Sequence, residues 1–368
     1  MPTKDRLVLF VGSGFSAELG VPVTSKLQEQ LLDPVGTAPD VVRREAFISS
    51  VIAGFWRHTF GWSRSRLPPS LEDHFTHIDL AANSGHFLGM NYGPKKLRAL
   101  RRMTIHRVFK LLDVRPEIRE DMRRFVRELC SRFDVSIVTT NWDIMAERCL
   151  EAVGINFTYS GIVTDKHGSR MVIPDGLPLY KLHGSGNWGY CDLCQNLLTP
   201  TLDMGKVAVH FHWLLEPSDF RLFKGGTSIA RELSPEFRNC IACPGRIAAR
   251  VATFSYRKHL QVPFFESIWD QAHNDLRLAD RWLFVGYSMP EADIEIRHLL
   301  KTAQLARRTP GSLTVDVVLK GDGGVRDRYA RFFGTGLTEI SLDGLGRWIS
   351  DSLDRYCRRP SGKDPHGN

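Results

Sequence analysis

Three polar side chains stand directly after short apolar runs, where a protein can do chemistry. The run Val135 to Thr139 (VSIVT) leads into Thr140-Asn141-Trp142-Asp143. In a parallel sheet, ligands bind beyond the carboxyl ends of the strands. Asn141 and Asp143 there can both face the crevice. Asn141 can orient a water or a sugar hydroxyl, and Asp143 can accept from an amide. The plainer reading of the pair is a helix cap. Tyr180-Lys181-Leu182-His183-Gly184-Ser185 places a histidine at a strand end before a glycine. His183 is a candidate general base, because an unperturbed imidazole titrates near neutrality. The chain has 13 His, and a lone one is more often structural.

Two glycine turns follow two further runs. Leu7 to Val11 (LVLFV) enters Gly12-Ser13-Gly14-Phe15-Ser16, then Gly20-Val21-Pro22. Arg281 to Val285 (RWLFV) enters Gly286-Tyr287-Ser288-Met289-Pro290. Glycine at such a turn lets the backbone approach a pyrophosphate closely, and the following helix N-terminus supplies free N–H groups. Either turn alone also fits a plain strand-to-helix connection.

Seven cysteines, an odd number, argue against a disulfide framework. Cys130 and Cys149 sit among apolar residues and read as small core fillers. Four others form two C-x-x-C pairs, Cys191/Cys194 and Cys240/Cys243. Two such pairs supply the four thiolates of a tetrahedral zinc site, which is structural because no open position remains for water. The 45 residues between the pairs exceed the usual ribbon spacing. His210 and His212 lie in that gap as substitute ligands, and four buried thiols are the alternative.

These residues need a frame. The runs Leu7–Val11, Val135–Thr139, Arg281–Val285 and Thr314–Leu319 suit buried parallel strands. Helical periodicity fills the gaps at Phe264–Ala279 and Ile294–Ala306. The expected fold is α/β: a Rossmann-like doubly wound parallel sheet with an inserted helical module and a small zinc-ribbon-like module. Residues 1–34, 130–185 and 247–350 form the expected core. Helices at Val42–Trp56, Leu71–Ala82, Lys95–Leu112 and Glu117–Cys130 make 35–129 the insert. The cysteine module is 186–246, and 351–368 is a helix end and flexible tail. No apolar run approaches the roughly 20 residues that span a bilayer. With no signal-peptide pattern at Met1 to Leu9, the reading is a cytoplasmic protein with no membrane partner.

Taken in order, the motifs resemble the sirtuin-like family of NAD-consuming proteins. Gly12-Ser13-Gly14-Phe15-Ser16 with Gly20-Val21-Pro22 is similar to its G-A-G-x-S…G-[IV]-P segment. Thr139 to Asp143 is similar to T-x-N-x-D, and Leu182-His183-Gly184 to the catalytic L-H-G. The two C-x-x-C pairs stand where that family has its structural zinc, and Gly286-Tyr287-Ser288 where it has a late G-x-S turn. Val23-Thr24-Ser25 replaces the D-F-R of protein-deacylating members, and Val251 to Lys258 (VATFSYRK) lacks their F-G-E. Gly286 to Ala303 looks more like the bacterial branch that includes NAD-hydrolysing effectors of antiviral defence.

The resemblance implies cleavage of the nicotinamide–ribose bond of NAD, with Asn141, Asp143 and His183 catalytic. Asn141 orients water or ribose hydroxyls, Asp143 meets the nicotinamide carboxamide, and His183 is the base. Gly12, Ser13, Gly14, Ser16, Thr139, Asn141, Asp143, Gly286 and Ser288 contact NAD. Protein deacylation and a non-catalytic nucleotide sensor are the alternatives. Effectors of this kind often assemble, so a homo-oligomer is among the expected partners.

The chain of 368 residues carries a net charge of +8. Residues 95–132 hold 13 Lys/Arg against 5 Asp/Glu, a local balance that equals the whole. The bland reading is a solvated helix face. The sharper reading, with the arginines largely facing out, is a docking surface for a regulatory protein or nucleic acid.

Overall fold

The computed structural model describes residues 4–33, 36–159, 162–164, 170–172, 176–191, 193, 197–198, 215–233, 240, 243–245, 247–248, 263–307 and 313–359. The chain opens with β1 (Arg6–Val11), α1 (Ser13–Ala17) and α2 (Thr24–Gln30). Four helices follow: α3 (Pro39–Phe60), α4 (Leu71–Ser84), α5 (Pro94–Leu112) and α6 (Glu120–Arg132). Then come β2 (Asp134–Thr139), α7 (Met145–Glu151), β3 (Phe157–Thr158), β4 (Ile162–Thr164), β5 (Arg170–Val172) and β6 (Leu177–Lys181). A small region holds β7 (Gly189–Cys191), β8 (Leu197–Leu198), α8 (Pro217–Arg221), α9 (Gly226–Glu232) and β9 (Ile247–Ala248). The chain closes with α10 (Pro263–Leu278), β10 (Arg281–Val285), α11 (Ile294–Leu305), β11 (Thr314–Val318), α12 (Val325–Phe333), β12 (Leu337–Ser341), α13 (Leu345–Asp351) and α14 (Leu353–Arg358).

Seven strands form one sheet in the order β12-β11-β10-β1-β2-β6-β3. Every pairing in it is parallel. The runs LVLFV and RWLFV are buried throughout, as strands covered on both faces must be. The fold is the α/β doubly wound sheet. The chain leaves β1 toward β2 on one side and later returns to β10 on the other. β1 is therefore the switch point, and a crevice opens beyond its carboxyl end.

Helices α3 to α5 bury Phe55, Trp56, Phe75, Leu100 and Met103 fully, in a core continuous with that of the sheet through Phe75 and Phe109 against Trp142. The polar centre of these helices is largely paired internally, with Arg107 Nη2 left without a partner among the described residues. The Trp56 indole N–H donates to His74 Nδ1 at 2.9 Å, and His74 Nε2 lies 3.0 Å from Thr104 Oγ1. Glu45 is wholly buried and accepts from His106, Arg107 and Lys110. The last helix, α6, lies elsewhere. It rests against β2, Phe125 meets Trp348 of α13 edge-on, and Arg124 pairs with Asp354 of α14. Helices α8 and α9 sit on the helical group instead, through Phe220 against Phe47 and Asp219 against Arg102.

The charge-rich stretch 95–132 differs from its sequence reading. Arg107 does not face out, being fully buried against Glu45. Arg101 pairs with Asp79, Arg102 with Asp219, Arg124 with Asp354 and Lys110 with Glu45. Acids distant in sequence therefore neutralise much of the local surplus. A count along one segment cannot register them.

Candidate functional site

The two glycine turns, after β1 and after β10, interlock. Gly12 N–H donates to the Val285 carbonyl at 3.0 Å, and Gly14 N–H to the Gly286 carbonyl at 2.9 Å. Gly286 adopts φ +66, and a Cβ on it would lie 2.1 Å from the Phe15 nitrogen. A Cβ on Gly14 would lie 2.7 Å from the Gly286 Cα. The two backbones thus approach as only glycine allows. Tyr287 Oη donates to Asp293 at 3.0 Å, and Tyr329 Oη to the Tyr287 carbonyl at 2.7 Å, which fixes the loop after β10. Burial, with Asp293 adding to it, holds the Tyr287 phenol far above its usual range, so it stays a neutral donor.

Beyond β2, Thr139 Oγ1 accepts from the Asn141 backbone N–H at 3.0 Å. The Asn141 side-chain amide donates to Ser16 Oγ at 3.1 Å, and Ser16 Oγ donates to Asp143 Oδ1 at 2.9 Å. Asp143 also accepts from the Met145 N–H at 3.0 Å. Burial pushes the Asp143 carboxyl above the usual carboxylate range, with Lys181 and those two donors opposing it. Beyond β6, Gly184 N–H closes a turn onto the Lys181 carbonyl, and Trp269 of α10 donates to the Leu182 carbonyl at 3.1 Å. This turn presents His183.

Below the site runs a second chain of bonds. Buried Lys181 Nζ donates to the Asp143 carbonyl and, at 3.0 Å, to buried Glu147. Tyr159 Oη donates to the same Glu147 oxygen at 2.8 Å and accepts from Asn187 at 3.0 Å.

A cavity of about 200 Å³ opens at this convergence. Ser13, Ser16, Asn141, Asp143, His183, Gly286 and Ser288 all line it. Gly12, Gly14 and Thr139 do not line it: the two glycines bond to the strand and loop that carry Gly286, and Thr139 Oγ1 accepts from the Asn141 backbone N–H. Trp142 and Asp293 line the cavity as well, and so do Glu72 and Leu112, which belong to no sequence motif. Glu72 reads in sequence only as a first-turn helix acid, and nothing there tells that α4 reaches the sheet. A larger cavity of about 770 Å³ lies against β11, β12 and α14. Its main charges answer one another, Arg359 to Asp316 and Arg355 to Glu339, and no glycine turn reaches it.

The cysteine pairs are only partly within the described residues. Cys194, His210, His212, the Cys191 side chain, the stretch Val251–Lys258 and the tail beyond 359 lie outside them. β7 and β9 pair antiparallel, with Cys191 opposite Ile247. That register pairs the strand that ends at Cys191 with the strand that follows Cys240 and Cys243 in the chain. Cys240 N–H donates to the Gly245 carbonyl at 2.8 Å, and Gly245 N–H to Cys243 Sγ at 3.3 Å. Among the described residues no three His, Cys, Asp or Glu side chains gather as a metal-holding group. Nor, among them, is any helix long and apolar enough to cross a membrane.

No protein-family model matches the chain. No curated protein matches it. Solved structures do resemble it at low identity. A Sir2 homologue in complex with ADP-ribose is 16% identical, with 96% of this chain and 91% of the other covered and a TM-score of 0.42. A Sir2 homologue in complex with NAD is 17% identical, with 96% and 89% covered and a TM-score of 0.41. A Sir2 complex with a p53 peptide and NAD+ is 12% identical, with 96% and 94% covered and a TM-score of 0.42.

Proposed function

We propose that the chain is a sirtuin-like enzyme that hydrolyses NAD at the nicotinamide–ribose bond. One observation carries the reading. Asn141, Ser16 and Asp143 form a hydrogen-bonded chain on the wall of a cavity that His183 also lines, at the switch point of the sheet. The glycine cradle of Gly12, Gly14 and Gly286 suits a pyrophosphate. Bond cleavage leaves an electron-poor, oxocarbenium-like ribose. In this reading Asn141 orients the attacking water or the ribose hydroxyls, and Asp143 holds the carboxamide of the leaving nicotinamide. His183 takes the proton from the water or from a ribose hydroxyl. Ser13 and Ser16 sit near the pyrophosphate and ribose, and Gly286 and Ser288 near the adenosine half.

Hydrolysis is favoured over deacylation because Val23-Thr24-Ser25 stands where deacylating sirtuins carry D-F-R. The likeness of Gly286 to Ala303 to the defence branch supports a bacterial, cytoplasmic effector. A structural zinc on Cys191, Cys194, Cys240 and Cys243 is supported by the β7–β9 register and by the all-thiolate donor set. It would close that small sheet and leave the chemistry to other residues. In domain terms, we group α6 with the sheet and α8 and α9 with α3 to α5.

Incubating the pure protein with NAD, with and without an acetyl-lysine peptide, tests the reading. Peptide-independent ADP-ribose is the expected product. Strict peptide dependence identifies a deacylase, and mass added to protein identifies a transferase. NAD left intact identifies a non-catalytic binder.

A further inference from the structure

A second cavity, of about 350 Å³, lies on the far side of the loop after β10. Ser288 and Pro290 line the first cavity, whereas Met289 and Glu291 line this one. Met289 makes the division, because its φ of +51 is left-handed for a residue that is not glycine.

Four cations converge on it. Arg297 and Lys301 come from α11, and Arg328 and Arg331 from α12. Among the described residues none of the four forms an ion pair with a carboxylate. Their partners are neutral. Arg297 lies over the Phe332 ring at 5.7 Å, and Lys301 lies over it at 4.3 Å. Lys301 donates to the Phe332 carbonyl at 2.6 Å and to Gln304 at 2.8 Å. Arg328 donates to the Ser288 carbonyl at 3.2 Å and Arg331 to the Asp327 carbonyl at 3.3 Å. Glu291 is the one carboxylate on the wall. Several other arginines of this chain are answered by acids, Arg102 by Asp219 and Arg107 by Glu45, although among the described residues Arg98 and Arg123 are met by carbonyls alone. Four like charges facing a single carboxylate raise the energy of the empty site, and an anion lowers it.

We propose that this cavity is an anion site for a phosphorylated small molecule of diphosphate size or larger, separate from the cavity at β1. Three guanidinium forks match phosphate oxygens in pairs, and the lysine adds a point charge. The inference does not depend on what the first cavity holds.

Calorimetric titration of the full chain with inorganic pyrophosphate is the test. Wild type is expected to bind with a Kd below about 100 µM at low salt, and binding should weaken as salt rises. Arg297→Gln with Lys301→Gln should weaken it by about tenfold or more, while Ser13→Ala, on the wall of the first cavity, leaves it unchanged. Arg331→Gln, on the exposed side of α12, should weaken it about threefold and decides the matter if the double variant does not fold. Three results overturn the proposal: no binding by wild type at about 1 mM, unchanged affinity in the α11 and α12 variants, or loss of binding in Ser13→Ala.

Discussion

Ser16 and Asp143 are separated by 127 positions in sequence, and the serine hydroxyl donates to the aspartate carboxyl at 2.9 Å. The same oxygen accepts from the Asn141 amide. One hydroxyl from the turn after β1 thus sets the orientation of both polar groups after β2. Ser16→Ala removes an acceptor from Asn141 and a donor from Asp143 at once. NAD consumption should fall by about 10²-fold, since a lost positioning donor has that scale. Asn141→Ala and His183→Ala should lower it by about 10²–10⁴-fold. Rates of NAD loss, read beside unchanged thermal unfolding, check this. Wild-type turnover in both of the latter variants rules out the site assignment.

Gly286 tests whether the cradle is a condition of folding. Alanine there places its Cβ 2.1 Å from the Phe15 nitrogen, which is backbone and cannot swing aside. The left-handed φ adds about 1 kcal/mol, and the clash a further ~1–3 kcal/mol. Gly286→Ala should therefore lower the denaturation midpoint in urea and empty the cavity of ligand together. Normal stability with normal binding contradicts the interlocked turn.

Much of this frame was legible in the sequence. Continuous apolar runs mark strands buried on both faces, and Arg281–Val285 is the strand to the residue. The long helices follow their periodicity within a few residues, Lys95–Leu112 becoming Pro94–Leu112. Other parts were hidden for physical reasons. β6 reads LPLYK, with a proline inside and a lysine at its end, because its polar Lys181 is buried by pairing with Glu147. β12 is a half-exposed edge strand with no apolar run. Tertiary contacts alone carry α6 to the sheet, bring Glu72 to the cavity and pair the arginines with acids.

The Lys181–Glu147 pair gives a third prediction. Both side chains are fully buried, and the lysine also holds the Asp143 carbonyl. Lys181→Met leaves Glu147 as an uncompensated buried charge, which costs about 3–5 kcal/mol. Adding Glu147→Gln should recover part of that loss, since a glutamine still accepts from Tyr159. Urea denaturation of the single and double variants measures the coupling. Additive losses would show that the pair does not interact.

Acid should loosen the helices α3 to α5. His74 is held at about 3, by burial first and by nearby His77 second. Its Nδ1 accepts from the Trp56 indole, so a proton there would face another N–H. Glu45 lies at about 2: burial pushes its carboxyl up, but His106 and Lys110 outweigh that. Both groups are depressed in the folded chain. Their stabilisation is therefore complete above the unfolded values and disappears as pH falls. The His74 share decays from about pH 6.5 downward, and the Glu45 share, about 3 kcal/mol, between about pH 4.5 and 2. Tryptophan fluorescence during an acid titration follows it through Trp56. Glu45→Gln should be less stable at pH 7 and show a flatter response below pH 4.5. An unaltered acid response in that variant rejects the assignment.

Arg102 decides what the charge-rich helix is for. Its guanidinium grips Asp219, a fully buried carboxylate on α8, through Nε at 2.9 Å and through Nη2. Asp219 meanwhile accepts from the Glu216 N–H and caps its own helix. Arg102→Ala strands that carboxylate in a site that water reaches poorly. The cost should be about 3–5 kcal/mol, as a loss of midpoint in urea. Arg102→Lys should recover little, because a point charge cannot reproduce the two-pronged contact. A docking surface for nucleic acid makes a different demand, namely that Arg102→Ala weakens salt-dependent binding and leaves stability alone. Measuring both quantities on the same variant separates a structural arginine from a binding one, and the buried pairing favours the structural role.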